Sequence, residues 1–278
     1  MNNEIFKMSI PINEPILNYS PGSKEKKELK KVLNDFKSKE VDIPMYINGK
    51  EIRTDNKIRI SPPHNHNHTL GCYNHGNASH VHSAIKAAMS AKKSWNALGA
   101  AKRAKIFLKA ADLIAGPYRA KINATTMLGQ SKNIFQAEVD AACELIDFLR
   151  FNPYYMSKIN EEQPISPEGM KNSLDYRPLE GFVFALSPFN FTSIAGNLCS
   201  SVALMGNTVV WKASRTQIYS ADIIMKVFKE AGLPNGVINL IHTDGKTAGD
   251  IIFKHPDFGG IHFTGSTNVF QNFWKEIG

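Results

Sequence analysis

The stretch ALSPFNFTSIAGNL, Ala185 to Leu198, joins an apolar run to a small-residue helical pattern and places Ser187, Pro188 and Asn190 at the junction. The ends of buried strands are where open α/β proteins bind ligands. An asparagine there either lines a site or caps the next helix. A second junction, Phe263-Thr264-Gly265-Ser266, has a glycine that lets a backbone approach and a helix N-terminus that attracts an anion. An ordinary Thr-Gly-Ser turn has the same composition. A third group is His64-Asn65-His66-Asn67-His68, followed by His75, His80 and His82. Extended H-x-H-x-H can bring imidazoles to one face for a transition metal. No acid or thiol shell accompanies it except Cys72, so it reads as a polar loop and no metal is expected. Cys72, Cys143 and Cys199 are scattered, odd in number and without CxxC spacing. They suit a reducing compartment and read as packed, not reactive.

These residues need elements to hold them. From Gly181 onward, apolar runs of four to six residues alternate with helical patterns. FVFAL (182–186) precedes 193–205 and TVVW (208–211) precedes 219–231. VINLI (237–241) precedes 247–253 and GIHF (260–263) precedes 268–277. Strands apolar on both faces predict a sheet covered on both sides, with parallel strands and right-handed crossovers. The expected fold class is α/β, a doubly wound parallel sheet preceded by a helical region. It is Rossmann-like, yet the G-x-G-x-x-G fingerprint is absent from its first strand–helix turn.

Residues 1–75 read as an irregular N-terminal arm. It carries a hairpin at Met45–Ile52 with Asn48-Gly49 as the turn. Leu29, Val32, Leu33 and Phe36 recur at helical spacing within the lysine-rich run Ser23–Glu40, predicting a surface helix with a solvated charged face. Residues 76–152 are helical. Ala84, Ala87, Ala88 and Ala91 mark the first helix; Ile106, Ala110, Leu113 and Ile114 mark the second. A third covers 119–128. A fourth, 134–151, aligns Val139, Ala142, Cys143, Ile146 and Leu149 and ends at Pro153. Residues 153–180 read as a connector with extended segments, and 181–278 as the parallel α/β part.

The chain has 278 residues, 42% hydrophobic and 21% charged, as a soluble globular protein does. The net charge of +8 can mean a nucleic-acid partner. Here acids interleave with the lysines, and neither an RNA-binding aromatic signature nor zinc-finger spacing occurs. No nucleic-acid or membrane partner is expected. The start, MNNEIFKMSIPINEP, lacks a signal-peptide core and an Arg-rich transit pattern. The expected compartment is the cytoplasm or the mitochondrial matrix.

SPFNFT (187–192), VVWKAS (209–214), EAGLPNGVINLI (230–241) and FTGS (263–266) fall in one order on successive strand ends. In this the chain resembles the aldehyde dehydrogenase superfamily. MLGQSKNIFQAEVDAACELIDFLRFN (127–152), SLDYRPLEGF (173–182) and NEPILNYSPGS (13–23) make it similar to the branch of 1-pyrroline-5-carboxylate dehydrogenases. The resemblance covers essentially the whole chain.

It implies a cysteine thiolate that attacks an aldehyde, a hydride passed to NAD, and a thioester hydrolysed with help from a glutamate. Asn190 would donate to the oxyanion, since an amide donates without titrating. Phe191 would line the slot for the substrate's aliphatic stem, or be an ordinary core residue. Ser187 and Pro188 would lie along the cofactor, Lys212 would bond the adenosine ribose, and Gly265, Ser266 and Val269 would face the cofactor. Arg215 stands where an acid is common, which leaves NADP as an alternative or the arginine as a solvent-facing charge. Glu138 would shape a substrate or water route or, more simply, be a surface acid. The family's nucleophilic cysteine, its general-base glutamate and its catalytic domain are expected beyond Gly278, so this chain alone is expected to lack turnover. The full-length protein is expected to be a homo-oligomer acting on a small aldehyde. Rival readings are a dehydrogenase of another aldehyde, such as a succinate-type semialdehyde, and a non-catalytic cofactor-binding or oligomerisation module.

Overall fold

In a computed structural model, residues 6–278 are described. The chain enters as a strap that leads to α1 (Lys24–Ser38), whose N-cap Ser23 accepts from the Lys26 amide and whose Leu29 is buried. Five short strands follow: β1 (Val41–Ile43), β2 (Met45–Ile47), β3 (Lys50–Ile52), β4 (Lys57–Ile60) and β5 (Gly71–Asn74). Strands of three or four residues leave no periodicity to read, so this region is more regular than its turn-rich sequence suggests. The hairpin forms at Asn48-Gly49, with both residues at positive φ, 52° and 73°. That pairing of φ values twists the turn in the same sense as its flanking strands.

Helices α2 (Ala78–Ala97), α3 (Ala100–Ala115), α4 (Arg119–Gln130), α5 (Ile134–Ala137) and α6 (Glu144–Glu161) come next. Several features differ from expectation. The fourth predicted helix is broken by a wide π turn at Glu138–Cys143, which inserts a residue and resets the phase. Glu138, read as a surface acid, is 1% exposed. Pro153 does not end the helix; it sits inside α6. A proline there costs about 3 kcal/mol. Leu145, Ile146, Leu149 and Met156 on the same helix are buried. Each contributes about 1.5–3 kcal/mol, so packing wins. The extended segments expected next pair with nothing: 162–180 form no strand.

The larger sheet is built from β2, β3 and β6 (Phe182–Leu186), β7 (Val209–Lys212), β8 (Ile238–Ile241) and β9 (Phe258–Phe263), in the order β3-β2-β8-β7-β6-β9. The last four are parallel; the hairpin adds antiparallel to β8. Between them run α7 (Thr192–Leu204), a 3-10 turn (Arg215–Gln217), α8 (Ile218–Ala231) and α9 (Gly245–Ile252), with α10 (Thr267–Ile277) last. Successive strand residues face opposite ways. Ala185, Val209, Trp211 and Leu240 join the core under α3, α6, α7 and α8. Phe182, Phe184, Val210 and Ile241 join the core under α2 and α9. Both faces of β6, β7 and β8 are covered, which is why these strands read as apolar runs; β9, at the sheet edge, is half-buried throughout. A smaller sheet, β1-β5-β4, packs Ile43, Ile60, Leu70 and Tyr73 against Leu128, Ile218 and Tyr219.

Candidate active site at the strand ends

Register fixes the site. Leu186 lies opposite Lys212 and Phe263, and Lys212 opposite Ile241, so four strands end level. β7 and β8 lie to one side of β6 and β9 to the other, so the strand order reverses between β6 and β9. A doubly wound sheet opens its ligand crevice at such a reversal, outside the carboxyl ends. The loops are tied at their roots. The Ser187 amide donates to the Lys212 carbonyl at 3.3 Å, and the Thr264 amide to the Leu186 carbonyl at 3.3 Å.

Ser187 is 5% exposed, and its Oγ accepts from Trp211 Nε1 at 3.2 Å. Pro188 is buried, while Phe189 is 66% exposed. Asn190 is half-buried, and among the described residues its side-chain amide makes no hydrogen bond. Nor does it cap α7: the cap position is Phe191, which gives no side-chain bond. Lys132 Nζ stands 3.9 Å from the centroid of the half-buried Phe191 ring and pairs with Asp140 at 2.8 Å.

Lys212 closes β7 half-buried. Desolvation lowers its pKa, opposed by the charge of Asp244. Its ammonium has no acceptor among the described residues, so it fits a ligand that brings hydroxyl or phosphate oxygens. Asp244 is occupied as the N-cap of α9, accepting from the Thr247 amide at 2.7 Å. The turn after β9 is exposed. Ser266 caps α10, accepting from the Val269 amide at 3.4 Å, and Val269 is 38% exposed. A Cβ on Gly265 would come 2.4 Å from Phe263 Cζ, so the Phe263 ring would have to turn aside to admit a side chain there. Arg215 is exposed. Ser187, Pro188, Asn190, Lys212, Gly265 and Ser266 thus share one edge of the sheet. Phe191 and Val269 sit where the adjoining helices begin.

Sequence reasoning missed His242, which directly follows β8. It is 2% exposed, and neither ring nitrogen makes a normal hydrogen bond. Burial pushes its pKa from 6.5 to about 3, with the Asn74 backbone opposing. The unfolded chain therefore binds a proton that the folded chain refuses. Stability is expected to be level above about pH 6.5 and to fall below it, by up to about 1.4 kcal/mol per pH unit. Urea denaturation in that range should show the slope flatten in His242→Leu. An unchanged slope would assign the acid lability elsewhere.

None of the three cysteines is an activated thiolate. Burial pushes Cys143 up to about 12 and raises Cys199 further, and burial with the Asp42 charge raises Cys72. A nucleophile needs a depressed pKa. All three should alkylate more slowly than a free cysteine at neutral pH, as followed by mass spectrometry. A fast-reacting Cys143 or Cys199 would reverse this assignment. Among the described residues no group of three or more His, Cys, Asp or Glu is placed to hold a metal. No helix there is long and apolar enough to cross a membrane.

The sequence pattern of the aldehyde dehydrogenase family matches residues 51–278. The chain belongs to this family. A Schizosaccharomyces pombe protein described as a probable delta-1-pyrroline-5-carboxylate dehydrogenase is 46% identical over 277 residues. The match covers 98% of this chain and 50% of that protein. The human mitochondrial delta-1-pyrroline-5-carboxylate dehydrogenase is 44% identical over 265 residues, 95% of this chain and 47% of that one. The crystal structure of the Mycobacterium tuberculosis delta-pyrroline-5-carboxylate dehydrogenase bound with NAD superimposes with a TM-score of 0.96 at 48% identity. It covers 100% of this chain and 52% of that one. This aldehyde dehydrogenase chain spans about half the length of the curated relatives it matches. Its doubly wound α/β fold is that of the Mycobacterium tuberculosis structure.

Proposed function

We propose that this chain forms the NAD-binding half, with the oxyanion donor, of an enzyme that oxidises L-glutamate γ-semialdehyde, the open form of 1-pyrroline-5-carboxylate, to L-glutamate. The observation that carries the reading is the Asn190 amide, without a hydrogen bond among the described residues, just past the strand ends where the strand order reverses. NAD, when bound, supplies the hydride acceptor. Lys212 offers its unpartnered ammonium to the ribose hydroxyls. Ser187 and Pro188 line one side of the cofactor's path, and Gly265, Ser266 and Val269 the other, with the N-terminus of α10 favouring negative charge. Asn190 donates to the aldehyde oxygen as that oxygen gains charge. Phe191 walls the aliphatic stem of the substrate. The thiol that attacks the carbonyl is none of this chain's three cysteines. Residues 181–278 form the cofactor-binding unit, with 76–152 as its helical cover.

The same reading extends to assembly and compartment. Ile165, Met170, Leu174 and Leu179 on segment 162–180 are more than half exposed, which supports a homo-oligomer. The human and bovine relatives are mitochondrial, which supports the matrix over the cytoplasm.

Calorimetric titration of NAD and NADP into this chain tests the cofactor half. NAD should bind, and Lys212→Met should weaken it about ten-fold or more, as loss of a charge-assisted bond does. Preference for NADP would give Arg215 the 2′-phosphate instead. NADH formation by the full-length form, with glutamate and succinate semialdehydes in competition, tests the substrate. Preference for the succinate compound would overturn that part.

A further inference from the structure

Asn190 is useful only if its amide is already aimed, and among the described residues its own side chain makes no bond that could aim it. The backbone around it is held instead. Thr216 Oγ1 donates to the Phe189 carbonyl at 2.8 Å, and Gln217 Nε2 donates to the Phe191 carbonyl at 2.6 Å. Two consecutive residues of the 3-10 turn after β7 thus grip the carbonyls on either side of Asn190. The neighbouring Thr192 hydroxyl is fastened as well, accepting from Gln130 Nε2 at 2.7 Å and lying 2.8 Å from Thr126 Oγ1.

The grip is rigid. Gln217 is fully buried, and its Oε1 is buried without a partner. Turning the amide over would set that oxygen against the Phe191 carbonyl, so only one orientation donates. Helix α4 closes on the turn from behind: a Cβ on Gly129 would come 2.9 Å from the Thr216 carbonyl oxygen. The clamp contains no ionisable group. It also continues directly from β7, whose last residue is Lys212.

We propose that Thr216 and Gln217 are positioning residues that preset Asn190 for the oxyanion and join that setting to the strand that carries Lys212. The inference rests on the oxyanion reading of Asn190. A misplacement of about 1 Å can cost on the order of 100-fold in rate, and two gripped carbonyls remove that freedom from a turn otherwise open to solvent.

Thr216→Val and Gln217→Met remove the donors at nearly constant volume. In the full-length form each should lower kcat by about 10- to 100-fold, with the NAD dissociation constant unchanged within about two-fold, and Thr216→Ser should restore the rate. In an Asn190→Ala background neither should cost anything further, because no aimed amide remains to lose. Equal losses in both backgrounds, or losses confined to KM or to NAD affinity, would make the clamp merely structural and overturn the proposal.

Nitrogen NMR of asparagine-labelled chain gives a readout that needs no turnover. The Asn190 side-chain pair, identified by its absence in Asn190→Ala, should become mobile in Thr216→Val and in Gln217→Met. Unchanged signals in both would overturn the clamp. A mobile amide in clamp variants that stay fully active, beside a fully active Asn190→Ala, would keep the clamp on Asn190 and reject the oxyanion reading. Thr216→Val leaves Gln217 buried as it is, so it tests the clamp even if Gln217→Met unfolds.

Discussion

Asn190→Ala in the full-length form is expected to lower kcat by about 100- to 1,000-fold, the effect of removing one oxyanion donor, and to leave NAD affinity unchanged. The expectation follows from what the amide does not do. It makes no hydrogen bond among the described residues, and Phe191, not Asn190, occupies the cap position of α7. Removing a cap would cost stability, about 1 kcal/mol, so the variant should unfold within about 0.5 kcal/mol of the parent, as a half-buried side chain with no cap to lose does. Asn190→Asp should do worse than alanine, since a carboxylate accepts where a donor is needed and repels the developing charge. Steady-state kinetics beside urea denaturation separates the two outcomes. A rate loss below about three-fold, or a stability loss matching the rate loss, would remove Asn190 from the chemistry.

The parts of this fold visible in the sequence are those that depend on local pattern. Strands β6 to β8 could be placed because both faces are buried and each becomes a largely apolar run, and the half-buried edge strand β9 because it repeats the same strand–helix rhythm. The hairpin could be placed because Asn48-Gly49 fits a turn with two positive φ values. What was not visible depends on partners distant in the chain. Glu138 looks like any acid on an amphipathic helix until Tyr19, 119 residues away, is found bonded to it. Pro153 stays inside α6 because of the apolar residues around it, which a breaker rule does not weigh. His242 and the Thr216–Gln217 pair are ordinary polar residues in sequence. Their meaning comes from one buried pocket and two carbonyls brought near by the sheet. Asn190, Lys212 and Ser266 could be singled out by the family motifs they sit in, and the structure places all three at the strand ends; Thr216 and Gln217 lie in no such motif.

The largest stability effect is expected at Arg119 and Glu138. Glu138 accepts from Arg119 Nε at 3.1 Å, Tyr19 Oη at 2.8 Å, Asn123 Nδ2 at 2.8 Å and the Leu17 amide at 2.9 Å. Burial raises its pKa, but these bonds outweigh burial and hold it below the ordinary carboxylate value. Arg119 also pairs with Glu14 and donates to the Pro15 carbonyl at 2.7 Å, while Arg150 reaches Glu14 at 2.6 Å. The strap before α1 is therefore closed over the π turn by buried charge. The two partners are not equivalent. Arg119→Met leaves Glu138 buried with no cation and should cost about 3–5 kcal/mol, the usual effect of breaking a buried pair. Glu138→Gln leaves Arg119 with Glu14 and should cost less, about 1–3 kcal/mol for the lost bonds. Because Glu138 is held below its unfolded pKa, its share of stability is present above about pH 4.5 and vanishes as pH falls through the folded value. Urea denaturation gives the energies. Hydrogen exchange at the Leu17 amide should accelerate in both variants, showing that the strap opens with the pair. Equal costs for the two variants would mean that Glu14 does not hold Arg119. A cost below about 1 kcal/mol for Arg119→Met would mean that water reaches Glu138 and that the pair is a surface one after all.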